Sequence, residues 1–167
     1  VVGIFGIDST FTTASFSSSG NLNFVNNTAG ELGIFSVDAV NNINVSFANA
    51  NFTDNRIAID KGSIFHLFSY SEGNVTLISD RLNFVNNDLV DSSYAIFYIQ
   101  TKYLSLTCMG SSFINNSAKG GTVRICEGGS ESEFYLTLKN CEFINNTVKE
   151  SYGGAIGFTV YGDDDDD

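Results

Sequence analysis

The chain has 167 residues, enough for one continuous core, and 43% of them are hydrophobic, which excludes a disordered tail. Its formal charge of −11 excludes nucleic-acid binding, which needs clustered Lys and Arg; five of the negative charges sit together at Asp163 to Asp167. No run approaches the ~18 apolar residues of a membrane helix, and fifteen Phe with no Pro and no Trp favour a β-rich class.

The chain opens as strand at Val1-Val2-Gly3-Ile4-Phe5, with no signal peptide visible, as expected of a segment cut from a longer polypeptide. That first block returns as Gly33-Ile34-Phe35-Ser36-Val37, Ser63-Ile64-Phe65-His66-Leu67 and Ala95-Ile96-Phe97-Tyr98-Ile99. Looser copies stand at Thr122-Val123-Arg124-Ile125 and Ala155-Ile156-Gly157-Phe158. A second block alternates apolar and polar residues around Val45 and Phe47, Val75 and Leu77, Leu104 and Leu106, Leu136 and Leu138. A third is the tetrad Phe-x-x-Asn, at Phe24 to Asn27, Phe52 to Asn55, Phe84 to Asn87, Phe113 to Asn116 and Phe143 to Asn146.

Successive tetrads lie 28 to 32 residues apart, a solenoid period. Each period holds three short β-type segments separated by Gly, Ser, Asn and Asp, and none repeats every 3.6 residues over a helical length. Helical repeats are therefore excluded. The pattern predicts an all-β fold: a right-handed, single-stranded parallel β-helix over residues 1–162, with about five coils of roughly 30 residues and three strands each. Residues 163–167 follow as an acidic tail or linker.

In a parallel β-helix each residue stacks on its own copy one coil away, about 4.8 Å below. A core slot that suits Phe once then suits it at Phe24, Phe52, Phe84, Phe113 and Phe143. The paired Asn fits the corner after the strand, because Asn tolerates left-handed backbone and bonds local amides. Asn27, Asn55, Asn87, Asn116 and Asn146 are expected to form a polar ladder along the axis. In the first block Ile and Phe are adjacent, so a regular strand would turn them to opposite faces. Ile4, Ile34, Ile64 and Ile96 would then make an outward apolar stripe, a candidate lateral interface; the alternative is a bend that turns both residues inward.

The tetrad, together with Gly153-Gly154-Ala155-Ile156 and the related Gly120-Gly121-Thr122-Val123, resembles the repeats of the chlamydial polymorphic outer membrane protein family. The resemblance covers nearly the whole chain. It implies a right-handed β-helix displayed on a surface, often for adhesion.

Chemistry-bearing residues are dispersed. The single His66 lies inside an apolar strand, where a structural role is expected. Arg56, Arg81 and Arg124 occupy different phases of the repeat, and Asp38, Asp54, Asp60, Asp80 and Asp88 scatter over turns. No nucleophile elbow, phosphate loop or zinc spacing occurs. No catalytic residue, cofactor or metal ligand is assigned, apart from weak calcium binding open to the carboxylates of Asp163 to Asp167. Six sequons begin at Asn26, Asn44, Asn51, Asn74, Asn115 and Asn145 and are candidate glycan sites, with Asn44 and Asn74 expected to point outward. Cys108, Cys126 and Cys141 are odd in number, so internal pairing is incomplete, and buried thiols are the alternative to any bridge.

The expected function is a non-enzymatic structural protein outside the cell or on its surface. It would be a rod or filament self-associating end to end or laterally, with the sequons as candidate points of glycan decoration. The alternative is an adhesin that meets a receptor or glycan through variable turns such as residues 127–133. A polysaccharide-cleaving enzyme is the third.

Overall fold

The computed structural model describes residues 3–7, 12–30, 33–58, 62–70, 73–89, 92–128, 131–149 and 154–159, excluding the side chains of Gly3 and Ile4. The described chain is all strand and turn, wound into a parallel β-solenoid of about five coils. Three parallel sheets run along it. The first stacks Gly3–Ile7, Gly33–Ala39, Ser63–Ser69, Phe97–Thr101, Val123–Glu127 and Ile156–Thr159 in chain order. The second joins Thr13–Val25 to Asn42–Thr53, followed by Asn74–Ser79 with Leu82–Val85, Tyr103–Met109 with Ser112–Ile114, and Glu133–Lys139 with Glu142–Ile144. The third holds two-residue strands, Thr28–Ala29, Arg56–Ile57, Asp88–Leu89, Ser117–Ala118 and Thr147–Val148.

The alternating block and the tetrad's Phe therefore share one bent sheet. In the second coil they form a single strand, and in later coils that strand is broken after Ser79, Met109 and Lys139. The third strand of each coil is instead the short piece that follows the Asn pair.

Vertical registration holds along the stack. Phe24 pairs with Phe52, Phe52 with Phe84, Phe84 with Phe113 and Phe113 with Phe143. Their rings stack at centroid distances of 4.8, 4.8, 5.0 and 4.7 Å, close to the strand spacing, with nearly parallel planes. A second ring column, Phe5, Phe35 and Phe65, stacks at 4.8 Å and meets the first edge-on, as Phe52 does Phe65. Phe97 continues it with a 45° tilt, below a rung that carries Val123. Ala29, Ile57, Leu89 and Ala118 close the core from the third sheet.

The outward stripe of isoleucines is not formed. Ile34, Ile64 and Ile96 are fully buried and belong to the same core cluster as Phe35, Phe65 and Phe97; the side chain of Ile4 lies outside the described residues. The physical reason is the corner that leads into the first sheet. The ladder passes there from Gly33 and Ser63 directly to Phe35 and Phe65, leaving Ile34 and Ile64 unpaired, and Gly33 itself has a φ of 120°, so strict alternation begins only at the Phe. Two consecutive residues turn inward.

Candidate functional site

The Asn pair does two jobs, one for each residue. The first position carries left-handed backbone at Asn26, Asp54, Asn86, Asn115 and Asn145, with φ between 51° and 55°. The second position forms the buried ladder. Asn55 donates from its backbone and side-chain amides to Asn87 Oδ1, at 3.1 and 3.0 Å, and its Nδ2 also donates to Phe24 O at 2.8 Å. Asn27, Asn87 and Asn116 donate in the same way to the Oδ1 of the next coil. Each interior Asn thus spends both side-chain protons and its carbonyl oxygen inside the fold. The ladder is structural.

The outer side of the first sheet brings together chemistry that the sequence left scattered. Ser36, His66, Tyr98 and Arg124 stand in one column, with Asp38 in the next. Ser36, Asp38, His66, Tyr98 and Arg124 are all buried, although they project away from the core. Tyr94 folds over them, its ring stacked on Tyr98 at 4.6 Å, and His66 stacks on Tyr98 at 5.2 Å. His66 Nε2 lies 3.7 Å from Asp38 Oδ1, too long for a hydrogen bond, and its Nδ1 has no partner. Burial holds the imidazole down at about 4, so the ring is neutral at pH 7. Ser36 donates to Asp38 rather than to His66, at 3.4 Å. The cluster does not align a nucleophile with a base, and its side chains are buried. It closes the flank of the solenoid.

The other candidate residues stay apart. Arg56, Arg81 and Arg124 fall on the third sheet, the break of the second, and the first. Asp54 and Asp80 are exposed and Asp88 is half-buried, while Asp60 and Asp163 to Asp167 lie outside the described residues. Among the described residues no three His, Cys, Asp or Glu side chains converge on a cation site. The cysteines are free thiols; Cys141 Sγ donates to Cys108 O at 3.5 Å, and burial followed by the Cys141 charge pushes Cys108 up to about 12. Of the sequon residues, Asn26, Asn115 and Asn145 sit exposed at the corner, and Asn44 and Asn74 point outward from the second sheet. Asn51 is half-buried and tied into a second, outer ladder with Asn23 and Asn83, both bonds 2.8 Å.

Two surface features escaped sequence reasoning. The tetrad's second residue makes an outward column of Val25, Thr53, Val85, Ile114 and Ile144, with Val25 52% and Ile144 42% exposed. The repeated Val or Ile after each Phe was the available signal. The second is a shallow trough on the outer face of the second sheet, its hydroxyl and amide groups set in mostly apolar surface. A depression of about 400 Å³ lined by Ser15, Phe16, Ser17, Asn44, Val45, Ser46, Thr76 and Ile78 shares Thr76 with another of about 190 Å³.

Comparisons with protein-family models, with characterised proteins and with solved structures find no match. The class is set by the architecture: an all-β parallel solenoid built of repeated coils.

Proposed function

We propose that the chain is a non-enzymatic structural element, a rod or filament segment of an extracellular appendage, sheath or matrix. The observation that supports this reading is vertical registration, because it makes every coil surface a template for another. Phe158 occupies the slot of the fully buried Ile125, yet on the last described rung it is 56% exposed. Phe143 and Ile156 beside it are only partly buried, as are Phe5, Phe16 and Phe24 at the opposite end. The Asn ladder has matching ends. Asn27 Oδ1 accepts no hydrogen bond among the described residues, and the Asn146 backbone N–H donates none among them. One further coil, in the same polypeptide or from a second copy, satisfies both ends and covers the apolar slots.

Five exposed sequon asparagines support a place outside the cell, as does the resemblance to surface-displayed repeats. Negative-stain microscopy of native material, combined with intact mass, tests the reading. Five coils span about 24 Å at ~4.8 Å per coil, so rods several times longer are expected. Discrete particles of five-coil size at every concentration would sink it.

Recognition through the turns is the second reading. A depression of about 430 Å³ lined by Glu127, Glu131, Ser132, Phe134 and Phe158 favours it. Loss of cell or glycan binding after replacement of residues 127–133 is the result that would establish it.

A further inference from the structure

We propose that the outer face of the second sheet binds a neutral glycan chain lying parallel to the solenoid axis. Three columns of outward side chains make this face, and register fixes their membership. The middle column runs Ser15, Asn44, Thr76, Ser105 and Tyr135. On one side stand Thr13, Asn42, Asn74, Tyr103 and Glu133; on the other, Ser17, Ser46, Ile78, Thr107 and Thr137. Glu133, at one end, is the only charged residue of the three columns, in a chain whose net charge is −11. A face kept neutral on an acidic molecule suits an uncharged ligand.

The flanking columns spend polar groups on each other. Asn42 donates to Thr13 at 3.5 Å and Asn74 to Asn42 at 3.2 Å, while Ser46 donates to Ser17 at 2.9 Å. Ser15, Asn44, Thr76 and Ser105 make no side-chain hydrogen bond to described residues. The trough floor therefore offers unspent donors and acceptors once per coil, between walls held rigid by their own ladders. The two depressions join at Thr76 and carry the trough over successive coils. Tyr135 and Tyr103 line its far end, and Tyr135 is 69% exposed, the most exposed large hydrophobic side chain among the described residues. A sugar ring presents apolar C–H faces and an equatorial rim of hydroxyls. Tyr135 and Ile78 match the faces, Tyr103 already carrying the Lys102 ammonium 5.5 Å over its ring, and the Asn, Ser and Thr floor matches the rim.

Asn44 and Asn74 are also sequon residues, so a sugar attached to either would occupy the same trough; the test uses the full chain made in a bacterial host. Affinity electrophoresis through gels containing hydroxyethylcellulose, mixed-linkage β-glucan, xyloglucan or galactomannan, with polygalacturonate as the acidic control, supplies the readout. Retardation by at least one neutral gel is expected, with no more than marginal retardation by polygalacturonate. Tyr135→Ala should weaken retention tenfold or more and Tyr135→Phe should keep it. The Asn44→Ala/Thr76→Val pair should weaken it likewise, with circular dichroism unchanged in all three. No retardation by any neutral gel, equal retention by polygalacturonate, or retention indifferent to these changes would each overturn the proposal. A rod without a trough would still form fibres, so the two readings fail separately.

Discussion

Asn87 shows at the scale of one residue why the tetrad needs Asn in its last place. Its Oδ1 accepts from both amides of Asn55, at 3.1 and 3.0 Å, and its Nδ2 donates to Phe52 O at 2.8 Å and to Asn116 Oδ1 at 2.9 Å. Asn87→Ala leaves buried donors and acceptors unpaired on both neighbouring coils, each costing about 1–3 kcal/mol. Allowing for shared relaxation, a loss of about 3–5 kcal/mol is expected from urea unfolding; a loss below ~1 kcal/mol would refute the ladder's role. His66 carries a different single-residue prediction. Its folded value of about 4 lies below the ordinary 6.5, so the unfolded chain takes up the proton first as pH falls. Stability from this group is whole above about pH 6.5 and declines towards pH 4, by about 3 kcal/mol at most. Asp38 at 3.7 Å pulls the other way, but it lies beyond hydrogen-bond reach of a ring with an unpartnered Nδ1, so burial prevails. Thermal melts across this window should fall with pH, and His66→Phe should flatten the slope.

At the scale of an element, legibility depended on whether a slot repeats as one residue type. Phe24, Phe52, Phe84, Phe113 and Phe143 were readable as a core column because the same side chain recurs at one spacing. The parallel order followed, since only stacked coils put copies in contact. Ile34 and Ile64 stayed open between an outward stripe and an inward bend because period-two reasoning assumes a strand already under way, whereas these residues sit where it starts; the bend is what forms. Thr28–Ala29 and Arg56–Ile57 were missed because two residues carry no alternation. The trough was not legible beyond the outward direction of Asn44 and Asn74: Ser15, Asn44, Thr76 and Ser105 do not repeat one residue type, and only register makes them one column. The ring column makes its own prediction. Phe84 is fully buried between Phe52 and Phe113, with Phe65 edge-on. Phe84→Ala should cost about 3–5 kcal/mol, the upper range for a cavity in a packed core. Phe84→Leu, which keeps most of the volume, should cost markedly less. Equal losses for the two in denaturant unfolding would show that the slot is not tightly packed.

Across the whole molecule, stability is a chain of nearest-neighbour interfaces, and the free energy of each depends on a coil being present on both sides. The outermost described coils therefore hold apolar slots half-filled, and Phe158 is the clearest case. If end-to-end stacking joins copies, the contact buries Phe158 against a coil surface of the same design. Phe158→Asp would then place a charge in that dry slot and should abolish association, while leaving the fold of the single chain nearly unchanged because the ring is already more than half solvated. Charge acts against the contact as well. Two chains of −11 each repel at low ionic strength, and salt screens that repulsion over about 10 Å at 0.1 M and ~3 Å at 1 M. Association that is apolar in origin should therefore strengthen as salt is raised, whereas a contact held by ion pairs should weaken. Sedimentation velocity of wild type and Phe158→Asp at low and high salt separates these outcomes. Larger species that grow with salt in the wild type and are missing in the variant are expected. Species that dissolve in salt, or persist in Phe158→Asp, would place the contact elsewhere, with the outward column of Val25, Val85, Ile114 and Ile144 as one apolar surface along the rod.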